Sequence, residues 1–194
     1  MDTTGVVRAA VVLCLAAAGF GCSSAASGTR APNTFRSPTY GYSIGLPADW
    51  SALSATEVLE PGQPPLTGPP ITDVMAKRPD RTVHRMDLPA VVVGAQAVAD
   101  GTSIDEWTAT VIDIVAGQKH CDVPTTTERL TIGGDAAVLL AYPDCPTGAH
   151  LNHLWAAVVH GNRGYHFVFF DAAGHEAADR AVLGRMLATV VFDR

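Results

Sequence analysis

The chain has 194 residues, 47% of them apolar and only 16% charged, with a net charge of −6. That length suits one ordinary domain with a sizeable core rather than two. The acidic balance and the lack of any basic run exclude a nucleic-acid binder, which needs clustered Lys and Arg to displace counterions.

Residues 1–21 read as a leader. Arg8 is the basic residue of a short n-region, and Ala9 to Phe20 form an apolar or small run. Such a run is right for a signal h-region and too short to span a bilayer. It ends in Gly21-Cys22-Ser23, which resembles the lipobox of bacterial lipoproteins, although Gly19 stands where leucine is usual. The resemblance implies cleavage before Cys22, with diacylglycerol on its sulfur. Two or more acyl chains suffice for stable anchoring, whereas one binds marginally. The alternative is an ordinary secretory signal cut near Ala25–Ala26. Residues 22–33 are rich in Ser, Ala, Gly and Pro and predict a flexible tether.

The folded region is expected over residues 34–194. "FRS" and "YSIGLP" predict two short strands around a Pro-Thr-Tyr-Gly turn, with Phe35, Tyr42, Ile44 and Leu46 alternating. Pro47 stops the second strand, and "ADWSALSA" reads as a corner or a short helical turn. Glu60 to Pro70 holds five prolines and two glycines. That composition predicts a long surface loop, followed by a poorly patterned stretch to Pro89.

Patterning sharpens from Ala90. "AVVVGAQAV" predicts a buried strand. Ser103 and Glu106 form a capping box ahead of an apolar face made by Ile104, Trp107, Val111, Ile112 and Val115, and Gly117 is expected to end that helix. "TERLTI" and "AAVLLAYP" flank Gly133-Gly134, a hairpin signal. "LNHLWAAVVH" and "YHFVFFDA" flank a second turn over Gly161 to Gly164. Their apolar runs predict a sheet covered on both faces. A second helix is expected to bury Ala178, Val182, Leu183, Met186, Leu187 and Val190, and "TVVFDR" to close the chain as a strand. Hairpins outnumber βαβ units, so the fold class is α+β with a mainly antiparallel sheet and helices packed on it.

These pieces resemble the PsbP-like superfamily. "YGYSIGLPADW" is similar to the aromatic-rich start of that domain. "LTIGGDAAVLLAY", "HLWAAVVHGNRGYHFVFFDA" and "RMLATVVF" resemble its later hairpins and its closing helix and strand. With the lipobox, the chain most resembles actinobacterial lipoproteins of the LpqN type, over about Phe35 to Phe192. The resemblance implies an α/β/α sandwich and an accessory, assembly or binding role in the envelope, and it supplies no shared catalytic residues. On that reading Tyr40 and Tyr42 pack at the sheet edge and Trp50 turns inward.

Candidate chemistry is sparse. Cys14 is lost with the leader and Cys22 carries lipid, leaving Cys121 and Cys145. An even pair in an exported chain predicts a disulfide, closing a loop worth roughly 3 kcal/mol. A zinc or redox pair is the alternative, without a CxxC motif to favour it. Seven histidines are present. His150 and His153 form HxxH at a loop-to-strand junction, and His160 and His166 flank one hairpin turn. Asp171 or Asp144 would be a third ligand, but zinc needs three or four in tetrahedral array and no spacing demands it. There is no GxSxG elbow; Ser51, Ser54 and Ser103 sit at corners or a cap. Asp105 and Glu106 suit a helix's first turn. The expectation is therefore a non-enzymatic envelope lipoprotein without metal or cofactor, on the extracytoplasmic face of the cell membrane. It would bind an envelope protein or an apolar ligand through a sheet edge, the Pro-rich loop or a groove between helix and sheet. The alternatives are a metal-dependent hydrolase using the histidines, or a carrier of an apolar lipid.

Overall fold

The structure, a computed structural model, describes residues 33–58, 71–80, 87–119, 121, 123–145 and 151–194, without the side chains of residues 118, 119, 144 and 145. The predicted signal segment, Cys22 and the body of the tether lie outside the described residues, as does the Pro-rich segment.

A seven-stranded antiparallel sheet forms the middle layer. It contains β3 (Ser51–Leu53), β4 (Asp73–Ala76), β5 (Ala90–Ala97), β6 (Thr126–Ile132), β7 (Asp135–Cys145), β8 (Leu151–His160) and β9 (Arg163–Ala172), in the order β3-β4-β5-β9-β8-β7-β6. β1 (Asn33–Ser37), β2 (Tyr42–Leu46) and β10 (Val191–Phe192) make a separate three-stranded sheet. Helix α1 (Ile104–Lys119) covers one face of the large sheet. Helix α2 (Glu176–Leu187) and the small sheet cover the other. The α+β class and the antiparallel sheet are as expected, and the second outer layer mixes helix with sheet.

Period-two alternation explains why the central strands read as continuous apolar runs. On β9, Phe167 and Phe169 face α2 while Val168 and Phe170 face α1. On β8, Leu154 and Ala156 face α2 while Trp155 and Ala157 face α1. The turns follow their glycines. Gly133 and Gly134 have φ of 60° and 96°, and Gly161 has φ of 57°, values that twist a two-residue hairpin correctly and that L side chains avoid. The ladder between β7 and β8 slips between Tyr142 and Cys145, where Pro143 has no N–H to donate.

The capping box forms as expected. Ser103 N–H donates to Glu106 Oε2 at 2.7 Å and Glu106 N–H donates to Ser103 Oγ at 3.2 Å. α1 runs two residues past Gly117. Trp107, Val111 and Val115 are buried as core, and Ile104 and Ile112 pack partly against them.

Several elements differ from the sequence expectation. The predicted corner at "ADWSALSA" contains β3, and the stretch without pattern contains β4. Both are short and gain their order from neighbours, since β4 pairs with β3 and with β5. The closing strand expected at the C-terminus is β10, which joins β2. Tyr40 and Tyr42 are fully buried between the two sheets instead of lying at an edge. Trp50 does turn inward, stacked on Phe169 at 6.5 Å. On α2, Ala178 is exposed and Asp179 takes the buried position beside Leu183, Met186 and Leu187.

Candidate functional site

The histidines separate rather than converge. His153 and His166 share the α1 face, but His153 pairs with Phe170, four positions from His166, which is about 13 Å along the strand. His160 lies on the opposite face, stacked on Phe192 at 4.5 Å and bonded through Nδ1 to Asp135 at 2.8 Å. Parity decides this: residues 160 and 166 flank the turn, yet their side chains leave the sheet on opposite sides. His150 and the side chain of Asp144 lie outside the described residues. Among the described residues, no group of three or more His, Cys, Asp or Glu is placed to hold a metal ion. The convergence that a histidine-based hydrolase requires is thus missing from His153, His160 and His166.

Beneath α1 lies an aromatic layer. Trp107 donates its indole N–H to the carbonyl of Tyr165 at 2.8 Å, and its ring fills the space left by the missing side chain of Gly164. His166 sits 5.8 Å from the Trp155 ring and 6.5 Å from Trp107. Both of its nitrogens are buried without a hydrogen-bond partner among the described residues, as are Trp155 Nε1 and Tyr142 Oη. Burial pushes the His166 imidazole down to about 3 and the Tyr142 phenol up to about 12. At neutral pH these groups are uncharged, the form that burial favours.

Two further polar clusters face the other side. Asp73 is fully buried, accepting from Tyr42 Oη at 2.8 Å and from Ala55 N–H at 2.6 Å. Burial raises its carboxyl above the ordinary range, while hydrogen bonds from Ala55, Ser37 and Tyr42 oppose the rise. Burial and then the Asp73 charge push the Tyr42 phenol well up. This link joins the small sheet to β4, and Tyr40 Oη bonded to the carbonyl of Ile71 adds a second. The sequence reading missed Asp73, because its partner Tyr42 lies 31 residues away.

At the start of α2, Asn152 donates to Asp179 Oδ2 at 2.7 Å, and His175 Nδ1 lies 3.3 Å from Asp171. Burial raises the Asp179 carboxyl; the Asn152 bond opposes that rise, and neighbouring Asp171 adds to it. Asp171, weighed as a metal ligand, is thus part of a carboxyl cluster around α2. Cys121 is buried in the α1 layer. The side chain of Cys145 lies outside the described residues, so its pairing belongs to the proposal below.

The surface offers a different kind of site. A groove of about 270 Å³ runs between the end of β2 and α2, lined by Gly45, Leu46, Pro47, Val182, Met186, Arg185 and Thr189. Gly45 and Thr189 approach so closely that a Cβ on the glycine would meet Thr189 Oγ1 at 3.0 Å. A second concavity, of about 420 Å³, lies at the start of α1 and is lined by Gln96, Asp100, Thr102, Glu106 and Thr110 among others. It is polar and carries carboxylates. Among the described residues no helix is long and apolar enough to cross a membrane.

No family model matches the sequence, and no curated protein does. Solved structures do match. The solution structure of cyanobacterial PsbP (CyanoP) from Synechocystis sp. PCC 6803 is similar with a TM-score of 0.55 at 10% identity, over 82% of this chain and 91% of that one. The chain has the PsbP-like fold. The crystal structure of LpqN, described as involved in cell envelope biogenesis of Mycobacterium tuberculosis, is similar at a TM-score of 0.48 and 14% identity, over 83% and 90% of the two chains. A crystal structure from Bacteroides thetaiotaomicron gives 0.49 at 13% identity, and this chain spans about half of it, 48%. The α+β layering expected from the aromatic-rich opening and the two hairpins therefore agrees with the PsbP-like neighbour.

Proposed function

We propose that this chain is an envelope lipoprotein, anchored on the outer face of the cytoplasmic membrane through Cys22, whose PsbP-like domain is a non-enzymatic binding module. The leader and the Gly21-Cys22 junction support the anchor. The groove beside α2 is the observation that carries the binding role. It is concave, largely apolar and open to solvent, whereas His166, Asp73 and Asp179 are sealed within the layers. A concavity with apolar walls and a few polar groups is the usual form of a binding place. A disulfide between Cys121 and Cys145, which ends β7, belongs to the same reading, since an exported chain permits it.

Expression in a bacterium that processes lipoproteins tests the anchor. Mass spectrometry should find an acylated N-terminal peptide beginning at Cys22. The Cys22→Ser chain should move from the membrane fraction to the soluble one. A wild-type chain that is soluble and unacylated would refute the anchor. A photo-cross-linker at position 182 should capture an envelope component, and non-reducing peptide mapping should join Cys121 to Cys145.

A further inference from the structure

Deepening the binding-module reading on which it rests, we propose that the groove between β2 and α2 takes a single-chain amphiphile: one apolar chain ending in a carboxylate.

The apolar half of this chemistry comes from the lining. Leu46, Pro47, Val182 and Met186 form the walls. Their volume of about 270 Å³ falls below the ~300–1,000 Å³ of pockets that enclose a drug-sized ligand. A space of that size suits a single hydrocarbon chain.

The charged half comes from Arg185. Thr189, the hydroxyl in the groove, is already committed, donating to Met186 O at 2.6 Å and accepting from Gly45 N–H at 2.7 Å. Arg185 is exposed in the last turn of α2 and has no ion-pair partner among the described residues. Six other described cations have partners, whereas the terminal Arg194, like Arg185, has none among the described residues. Arg36 pairs with Asp193, Lys77 with Asp49, Arg78 with Asp87, Arg129 with Asp105 and Arg180 with Glu128, while Arg163 donates to the carbonyl of Tyr40. A helix C-terminus favours a cation, which accounts for Arg185 being basic. It does not account for an unpaired guanidinium lining an apolar groove in a chain of charge −6. A guanidinium presents a planar fork that matches a carboxylate, so a carboxylate head over a buried tail satisfies both halves.

The test uses the secreted Cys22→Ser chain, so its result does not depend on acylation. The Met186 methyl is followed by NMR during titration with octanoate, decanoate and laurate, and with the neutral alcohols of the same lengths, at low salt. The Met186 signal should shift. Affinity should rise about fourfold per added methylene until the groove is full. Each carboxylate should bind about threefold tighter than its alcohol, and Arg185→Gln should erase that advantage while leaving the chain-length dependence. Val182→Glu should abolish binding of both series with an unchanged far-UV spectrum. An unmoved Met186 signal overturns the inference. So does equal binding of acid and alcohol that ignores Arg185→Gln, which is detergent-like adsorption. Capture of an envelope protein at position 182 without any response to laurate also overturns it, and leaves the broader binding reading standing.

Discussion

Gly164→Ala is a demanding test of the α1 layer. A Cβ at this position would lie 2.5, 2.6 and 2.8 Å from Cδ2, Cε2 and Cε3 of Trp107. Carbon atoms in contact prefer ~3.5–4.0 Å, so the indole must retreat by about 1 Å. It has little room, being buried under α1 and tied to Tyr165 O at 2.8 Å. Overpacking of this kind costs about 1–3 kcal/mol. A buried indole N–H pulled from its acceptor costs a further ~1–3 kcal/mol. Against this, alanine restricts the unfolded chain, which returns about 0.4–1 kcal/mol. The net expectation is a loss of roughly 2–4 kcal/mol, or about 5–15 °C in Tm for a domain of this size. Urea titration followed by tryptophan fluorescence and circular dichroism measures it. Trp107→Phe removes the obstructing ring, so the cost of Gly164→Ala should shrink in that background. A neutral or stabilising Gly164→Ala, or a cost identical in both backgrounds, would refute the assigned packing.

Three more outcomes follow from the polar groups. His166 has a folded pKa of about 3 against ~6.5 unfolded, so the unfolded state binds more protons between those values. Stability is then fully present above about pH 6.5 and falls by up to about 1.4 kcal/mol per unit as pH drops towards 3; His166→Leu should flatten that slope in denaturant titrations across the window. Tyr42→Phe removes a donor from buried Asp73 and should cost about 1.5–3 kcal/mol. Because Asp73 is raised in the fold, stability from its neutral form is lost as pH climbs above about 4. The lost phenol supports the anion, so the cost should be larger near pH 7 than near pH 4, and an equal cost at both would contradict this. Ser103→Ala removes the reciprocal bond with Glu106 and should lower stability by about 1 kcal/mol, read as a shift in urea midpoint at unchanged slope.

Much of this architecture is decided within a few residues. The capping box joins positions three apart, α1 shows its buried face at helical spacing, and the glycines at 133, 134 and 161 set the turns. Interactions of that range are written in order along the chain, so α1, α2 and the hairpins β6–β7 and β8–β9 are legible without the fold. Pairing between distant segments is different. β3 and β4 carry too little pattern to stand out, and they exist as strands because β5 offers them an edge. Histidines 160 and 166 sit close in sequence and apart in space, because strand parity sends them to opposite layers. Asp179 displaces Ala178 from the buried stripe because Asn152 waits there with a donor. The groove joins residues 45–47 to residues 182–189, and no local rule connects segments so far apart. Helical spacing already sets Arg185 beside Val182 and Met186 on α2, but tertiary packing alone brought Leu46 and Pro47 against them, since hydrophobic burial selects which surfaces meet without regard to their separation along the chain.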